Sequence, residues 1–368
     1  MRIQLLRPVI SEEAIQEVGE VLRSGWIGLG PKTAEFESAF ANYVGNRHCI
    51  GLNSCSAALH LALHTLNLPE GSEIITTPIT FISTNHAILY ERCTPVFADV
   101  QADTGNLDMA SVASKITGRT KAVMAVHLAG YPCDLDELYS MAHSHGLSVI
   151  EDCAHACGAT YKGNRIGSHG RLHAFSFQAV KNLPMGEGGA LVVRDEELNR
   201  RLRRLRWLGI DKDTFHRSRG TSYSWEYDVA ELGRKYHMND IHAAIGLAQL
   251  RILDKDNARR AEIAARYRKG LSGVPGVKLL KRSNDRTSSN HLCCILAENR
   301  DELASKLKSA GIETGVHFRR NDLYSMYKRD DSLVHADHFW RCSLSLPLHL
   351  LLTDEQVDYV IEQIRGGW

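Results

Sequence analysis

Between residues 49 and 193 the chain sets seven short runs rich in β-branched and apolar residues, CIGLN, EIITT, PVFAD, KAVMAVHL, LSVIED, HAFSFQ and ALVV, between stretches of helical periodicity. Parallel neighbours need a crossover long enough to hold a helix, and those helices then bury both faces of the sheet. The alternation therefore predicts an α/β fold with a mainly parallel seven-stranded sheet covered by helices. The helix after the first run places Leu59, Leu63 and Leu66 on one side, and an earlier one carries Phe36, Phe40 and Tyr43, so both stripes belong to the core.

Beyond residue 193 the pattern changes. Residues 200–206 read as a basic, solvated helix face, and HRSRGTSYSWEYD as a polar loop before a helix that Asn239 opens with Ile241, Ile245 and Leu253 as its apolar positions. An amphipathic helix follows beyond about residue 255, then strand-like VKLL and HLCCIL, helical DELASKLKSAG and a last helix from Asp354. A chain of 368 residues is long enough for two lobes. The expected division is a large domain at 1–253, whose N-terminal segment packs on the other lobe, and a small C-terminal α+β domain at 254–368.

Several classes of function are excluded at this point. Lys and Arg number 44 against 43 for Asp and Glu, a net charge of +1, which leaves no electrostatic footprint for nucleic acid or an anionic membrane. The start MRIQLLRPVISEEA fits neither a secretory signal nor a membrane span, and a cytoplasmic protein is expected. Nine scattered cysteines make a disulfide framework a poor reading. A zinc site on Cys153, His155 and Cys157, or on Cys293 and Cys294, lacks paired CxxC spacing, so no metal is expected. A nicotinamide oxidoreductase is disfavoured because no GxGxxG follows the first strand.

Chemistry concentrates in residues 150–193, IEDCAHACGATYKGNRIGSHGRLHAFSFQAVKNLPMGEGGALVV, where an acid ends a strand and a lysine follows about thirty residues later. Ligands of a doubly wound sheet gather at the carboxyl ends of its strands, where Asp152, Ser176 and Lys181 fall. A pyridoxal-phosphate (PLP) enzyme needs a Schiff-base lysine and a carboxylate on the pyridine nitrogen. Lys181 and Asp152 suit those roles. It also needs a phosphate cradle, and the turn from Asn53 through Ala58 leads a strand into a helix N-terminus with free N–H groups. Ser56 and Ala57 are candidates there, with the Ser176 hydroxyl. Taken singly, each feature has an ordinary explanation: Asp152 a cap, Ser176 a sheet hydroxyl, Lys181 a solvated lysine, GEGG a tight turn. Their joint arrangement argues for the site.

That arrangement resembles the sugar-nucleotide aminotransferases of the DegT/StrS type, which are fold-type-I PLP enzymes. The similarity runs from Ser24-Gly25-Trp26-Ile27 and Gly30-Pro31 through residues 53–59 and Thr80-Phe81-Ile82-Ser83-Thr84-Asn85. It continues with Glu151-Asp152-Cys153-Ala154-His155-Ala156, Phe175-Ser176-Phe177, Lys181, Gly186-Glu187-Gly188-Gly189, His237-Met238-Asn239-Asp240, residues 243–250 and Ser343-Leu344-Ser345-Leu346-Pro347. The resemblance implies that Lys181 forms the Schiff base, that Asp152 contacts the pyridine nitrogen, and that Ser56, Ala57 and Ser176 bind the cofactor phosphate. It implies an aromatic ring over the cofactor at Phe81 and places His155 nearby. Trp26 and His317 are candidates for the substrate, as are Arg319 and Arg320, which either meet a nucleotide phosphate or lie solvated.

The chain departs from the family in two places. Gly233-Arg234-Lys235-Tyr236-His237-Met238 has Lys235 where many members have an asparagine that reaches the partner subunit's cofactor phosphate; a lysine serves there as a point charge, or faces the substrate diphosphate. After His317 the text is Phe318-Arg319-Arg320-Asn321 rather than an aromatic and proline-containing run. The implied reaction moves an amino group from L-glutamate, through pyridoxamine phosphate (PMP), to a nucleotide-linked keto sugar, chiefly a 4-keto-6-deoxyhexose, in a homodimer with active sites near the interface. The family's dehydratase branch replaces the lysine with histidine, and a non-catalytic regulator would not need both Lys181 and Asp152.

Overall fold

In the computed structural model, residues 2–211, 225–327 and 332–368 are described. Most of the polar HRSRGTSYSWEYD segment lies outside them. Helices α1 (Glu12–Ser24) and α2 (Pro31–Val44) precede a seven-stranded sheet built from β1 (His48–Leu52), β2 (Glu73–Thr76), β3 (Thr94–Phe97), β4 (Thr120–Val126), β5 (Ser148–Asp152), β8 (Leu172–Ser176) and β9 (Gly189–Val193). These are the seven runs singled out in the sequence. Their order across the sheet is β1-β9-β8-β5-β4-β2-β3. The pairings among β3, β2, β4, β5 and β8 are parallel, while β9 runs antiparallel to both β8 and β1. The short β6 (Thr160–Tyr161) and β7 (Asn164–Arg165) pair apart from the main sheet.

Crossover helices α3 (Cys55–His64), α4 (Ile82–Tyr90), α5 (Met109–Ser114) and α6 (Leu135–Ser144) carry the parallel connections, and α7 (Glu196–Leu205) follows β9. One face of the sheet packs Phe175 and Phe177 against Phe36 and Phe40 of α2, with the Phe40 ring edge-on to both at 5.1 Å. The other face buries Ile50, Ile150 and Leu191 beneath Leu59 and Leu63 of α3 and Leu202 of α7. Each strand is thus covered on both sides, as its continuous apolar text requires.

Two readings of the sequence change here. The helix opened by Asn239 and the amphipathic helix beyond residue 255 are one element, α8 (Asp240–Leu271), with Asn239 accepting from the His242 amide. No glycine or proline lies between Leu247 and Lys269, across the join. The expected boundary at 253/254 therefore falls inside a helix: Leu253 belongs to the large core, whereas Ile263, Tyr267 and Leu271 pack with Ile295, Leu303 and Val357. Ile3 enters that second core and pairs with Ile312. The C-terminal part adds β10 (Val277–Leu279), β11 (Arg286–Thr287), β12 (Cys293–Ala297) and β13 (Ser343–Leu346), with α9 (Arg300–Ser309), α10 (Val334–Cys342) and α11 (Asp354–Arg365). Strands β10, β12 and β13 form an antiparallel sheet.

The basic run at 200–206 is also more than a solvated face. Arg206 is buried, and with Arg203 it is ion-paired to the buried Glu37 of α2. All nine cysteines are free thiols, and among the described residues no helix is long and apolar enough to cross a membrane.

Candidate active site

The carboxyl ends of β5 and β8, the head of α3 and the start of α4 surround a cavity of 490 Å³, closed from the C-terminal side by His291, His317 and Phe318. The head of α3 is set by Ser54, whose hydroxyl accepts from the Ala57 amide at 3.1 Å. That bond occupies the Ala57 donor expected for a phosphate. The amides of Cys55 and Ser56, at the first two helical positions, have no acceptor within the helix. Ser56 lines the cavity with Ser54 and Cys55. Gly189 explains part of the GEGG turn: a Cβ there would overlap the Ser54 backbone, so glycine lets β9 press against the helix head.

Asp152 ends β5 and is buried. Its Oδ2 accepts from Thr84 Oγ1 at 2.7 Å and its Oδ1 from the Ala154 amide at 3.0 Å. Among the described residues no cation is ion-paired to it. Burial leads the causes that push its carboxyl above the usual range, against the pull of Thr84, the Ala154 amide, Lys181 and His127. Its neighbour Glu151 points the other way, where Oε2 meets His127 Nε2 at 2.9 Å, Oε1 lies 3.1 Å from His173 Nε2, and Tyr139 donates to Oε1.

Lys181 lies in the turn after β8, its amide donating to Gln178 O at 2.8 Å, and its Nζ is 3.4 Å from His291 Nε2. Burial brings its amine down to about 8, although Cys55 and Asp152 act in the other direction. The His155 ring stacks on His291 with centroids 4.5 Å apart and on Phe318 at 5.9 Å. Burial, then Lys181 and His317, hold His155 well below the ordinary imidazole value. His317 donates to or accepts from Ser345 Oγ at 2.9 Å, and burial brings it to about 4. Phe81 is 59% exposed at the cavity rim, and Ser176 lines the wall.

Ser56, Phe81, Asp152, His155, Ser176, Lys181 and His317 therefore share one cavity. Five other candidates are not among its lining residues: Ala57, whose amide is taken by Ser54, and four that lie elsewhere. Trp26 lines a separate pocket with Trp207 and His237, its Nε1 donating to Leu29 O at 3.0 Å. Lys235 is exposed, with Nζ 5.6 Å from the Trp207 ring. Arg319 is exposed and lies over Tyr324 at 5.0 Å. Arg320 is buried and turned to Asp322 and Asp337, at 2.6 and 3.1 Å, so its charge is already compensated inside the protein. Conversely, Thr84, Gln178 and His291 belong to the site with no candidate role in the sequence. Thr84 sat in the quoted run 80–85 and needed only the question of what satisfies a buried Asp152; His291 had no local signal, 110 positions from Lys181.

The donor set fits PLP. A buried carboxylate with no ion-paired cation among the described residues suits a pyridine N–H, a neutral-leaning amine suits an aldehyde, and an open helix head suits a phosphate. The DegT/DnrJ/EryC1/StrS aminotransferase family profile matches residues 8–365. The chain is 41% identical over 370 residues to the spore coat polysaccharide biosynthesis protein SpsC of Bacillus subtilis (strain 168), covering 97% of this chain and 95% of SpsC. The solved structure of the sugar aminotransferase CalS13 from Micromonospora echinospora is similar with a TM-score of 0.92 at 36% identity, covering 100% of both chains. Spr1654 from Streptococcus pneumoniae, solved in a PMP form, has a TM-score of 0.92 at 34% identity over 100% of this chain and 97% of its own; a PLP form of it is also similar, at 0.92.

Proposed function

The chain belongs to the DegT/DnrJ/EryC1/StrS aminotransferase family, and from that premise we propose that it transfers an amino group from L-glutamate to a nucleotide-linked keto sugar. The sugar is chiefly a 4-keto-6-deoxyhexose, and the product an amino sugar for glycan or natural-product synthesis; similarity to SpsC supports the polysaccharide side of this reading. Bound PLP supplies an electron sink and carries the amino group, as PMP, between the two substrates.

This chain's residues do the rest. Lys181 would hold PLP through its Nζ, and the same amine, when free, would be the base that moves a proton at the substrate carbon. Asp152 holds the pyridine nitrogen protonated. Ser56, the α3 head and Ser176 would hold the phosphate, and Phe81 and His155 would pack on the ring. Lys235, exposed and away from its own cavity, acts across the boundary of a homodimer on the partner's phosphate. Arg319, exposed next to the cavity residue Phe318, would face the nucleotide. The observation that carries the proposal is the convergence of the Lys181 amine and the uncompensated Asp152 carboxylate on one cavity.

The test is to add PLP to the purified protein, reduce with borohydride, and map the mass tag. A tag on Lys181, with release of 2-oxoglutarate when L-glutamate is added before reduction, supports the reading. Lys181→Ala is expected to lose both while still binding PLP non-covalently. Near-normal turnover in that variant, or a tag elsewhere, overturns the assignment of Lys181.

A further inference from the structure

The cavity contains a buried histidine to which the reaction above gives no role. His291 lies 2% exposed between the two lobes, on the segment that leads into β12. Its backbone is fixed, with its amide donating to Ala129 O at 3.1 Å and the Ser289 amide to Gly130 O at 3.1 Å. Its ring is fixed as well, stacked on His155.

The hydrogen bonds around His291 settle which nitrogen carries its proton. Asn182 Nδ2 donates to Ser289 O at 2.7 Å, a carbonyl that only accepts, and so the amide orientation is determined. Asn182 Oδ1 then faces His291 Nδ1 at 3.1 Å and accepts from it. Asn257 Oδ1 accepts from the same Asn182 amide at 2.7 Å, and Asn257 Nδ2 donates to Cys157 O at 3.0 Å, anchoring the relay at its far end. With the proton on Nδ1, the bare Nε2 lone pair points at Lys181 Nζ, 3.4 Å away.

We propose that His291 is a positioning residue for the transamination, its Nε2 accepting one hydrogen of the Lys181 amine so that the amine's lone pair is aimed at the substrate carbon. The proposal rests on the reading of Lys181 given above. The amine has two hydrogens and one lone pair. Tying one hydrogen to a fixed ring limits rotation about the last bond of a flexible side chain. When the amine takes the substrate proton, the same bond holds the ammonium until it delivers that proton. A cationic imidazole would repel the ammonium and offer no lone pair, and burial keeps His291 far below its ordinary value.

The groups facing the Lys181 amine are Cys55 from α3, Asp152 from β5, His155, His291 and His317. Of these only His291 is within hydrogen-bond reach of Nζ. Its removal takes an acceptor from a buried ammonium and lowers the amine's titration midpoint.

The experiment compares His291→Asn, too short to reach Lys181 but still polar toward Asn182, with His291→Gln, which puts an acceptor oxygen near the Nε2 position. Lys181 reactivity is measured in the cofactor-free full chain by competitive acetylation across pH, read on the Lys181 peptide by mass spectrometry. His291→Asn is expected to lower the midpoint by about one unit, the scale of one hydrogen bond to a charged group, and His291→Gln to restore it. In the PLP-loaded protein, the Asn variant loses about tenfold in kcat for the glutamate half-reaction with little change in KM, the same interval read as a rate. An unmoved midpoint in His291→Asn, or equal shifts in both variants, overturns the proposal. Absence of a borohydride tag on Lys181 in wild type instead overturns the cofactor reading, and the acetylation result separates the two failures.

Discussion

Two consecutive carboxylates at the end of β5 meet opposite surroundings. Burial works against charge on both, but on Glu151 the adjacent His173 and His127 override it and hold the carboxyl well below its usual range. Asp152 has hydroxyl and amide donors but no ion-paired cation among the described residues, and burial wins. A cationic pyridine ring would relieve that cost. Asp152→Ala is accordingly expected to weaken PLP retention by about 3 kcal/mol, roughly 150-fold, the scale for removing one partner of a buried ion pair. Cofactor dissociation measured by equilibrium dialysis checks this, and an unchanged constant moves the pyridine contact elsewhere. Lys181 yields a pH prediction. Only the neutral amine attacks an aldehyde, and this amine titrates at about 8. Capture of PLP by the cofactor-free protein should speed up about tenfold per unit below pH 8 and level off above it, whereas an ordinary lysine keeps gaining to about pH 10.4. Stopped-flow absorbance distinguishes the two curves.

At the scale of elements, the helix heads position the site. Asp240, the first residue of α8, spends its buried carboxylate on the start of α2. Oδ1 accepts from the Gly30 amide at 3.0 Å, the Thr33 amide at 2.9 Å and Thr33 Oγ1 at 2.7 Å, and Oδ2 accepts from the Lys32 amide at 3.0 Å. Gly30 supplies no side-chain cap of its own, so the cap comes from a residue 210 positions away. Negative charge at that helix head is also favoured by the helix dipole. Asp240→Ala should destabilise the fold by about 3 kcal/mol, seen as a lower thermal midpoint. An unchanged midpoint would mean that solvent replaces the carboxylate at no cost.

For the whole molecule, Glu37 joins three elements: it accepts from the Gly51 amide of β1 at 2.8 Å and pairs with Arg203 of α7 and with Arg206 just beyond it. Burial would raise its carboxyl, but the two guanidinium groups and the Gly51 amide pull it below the usual value. A carboxylate depressed in the folded state stabilises it above the unfolded value, about 4.3, and that contribution fades as pH falls through the lower folded value. Glu37→Gln should therefore cost about 3 kcal/mol at neutral pH, and the loss relative to wild type should shrink as pH drops below about 4. A difference that stays constant down to pH 2 would assign the cost to packing rather than charge.

The seven strands, the layered α/β class, and the Asp152, Ser176 and Lys181 cluster are legible in the amino-acid order alone. Alternating apolar runs and strand-end polar residues are local signals, read within a few positions. Only the tertiary structure decided that α8 is continuous across the expected lobe boundary, that Arg206 is buried against Glu37, and that Ile3 completes the second core. It also decided that His291 stands in the cavity and Thr84 behind it against Asp152, while Trp26, Lys235 and Arg320 stand outside. The contacts behind the site, the buried Arg206 and the second core join residues 68 to 309 positions apart, and such a contact leaves no periodicity in either segment that makes it.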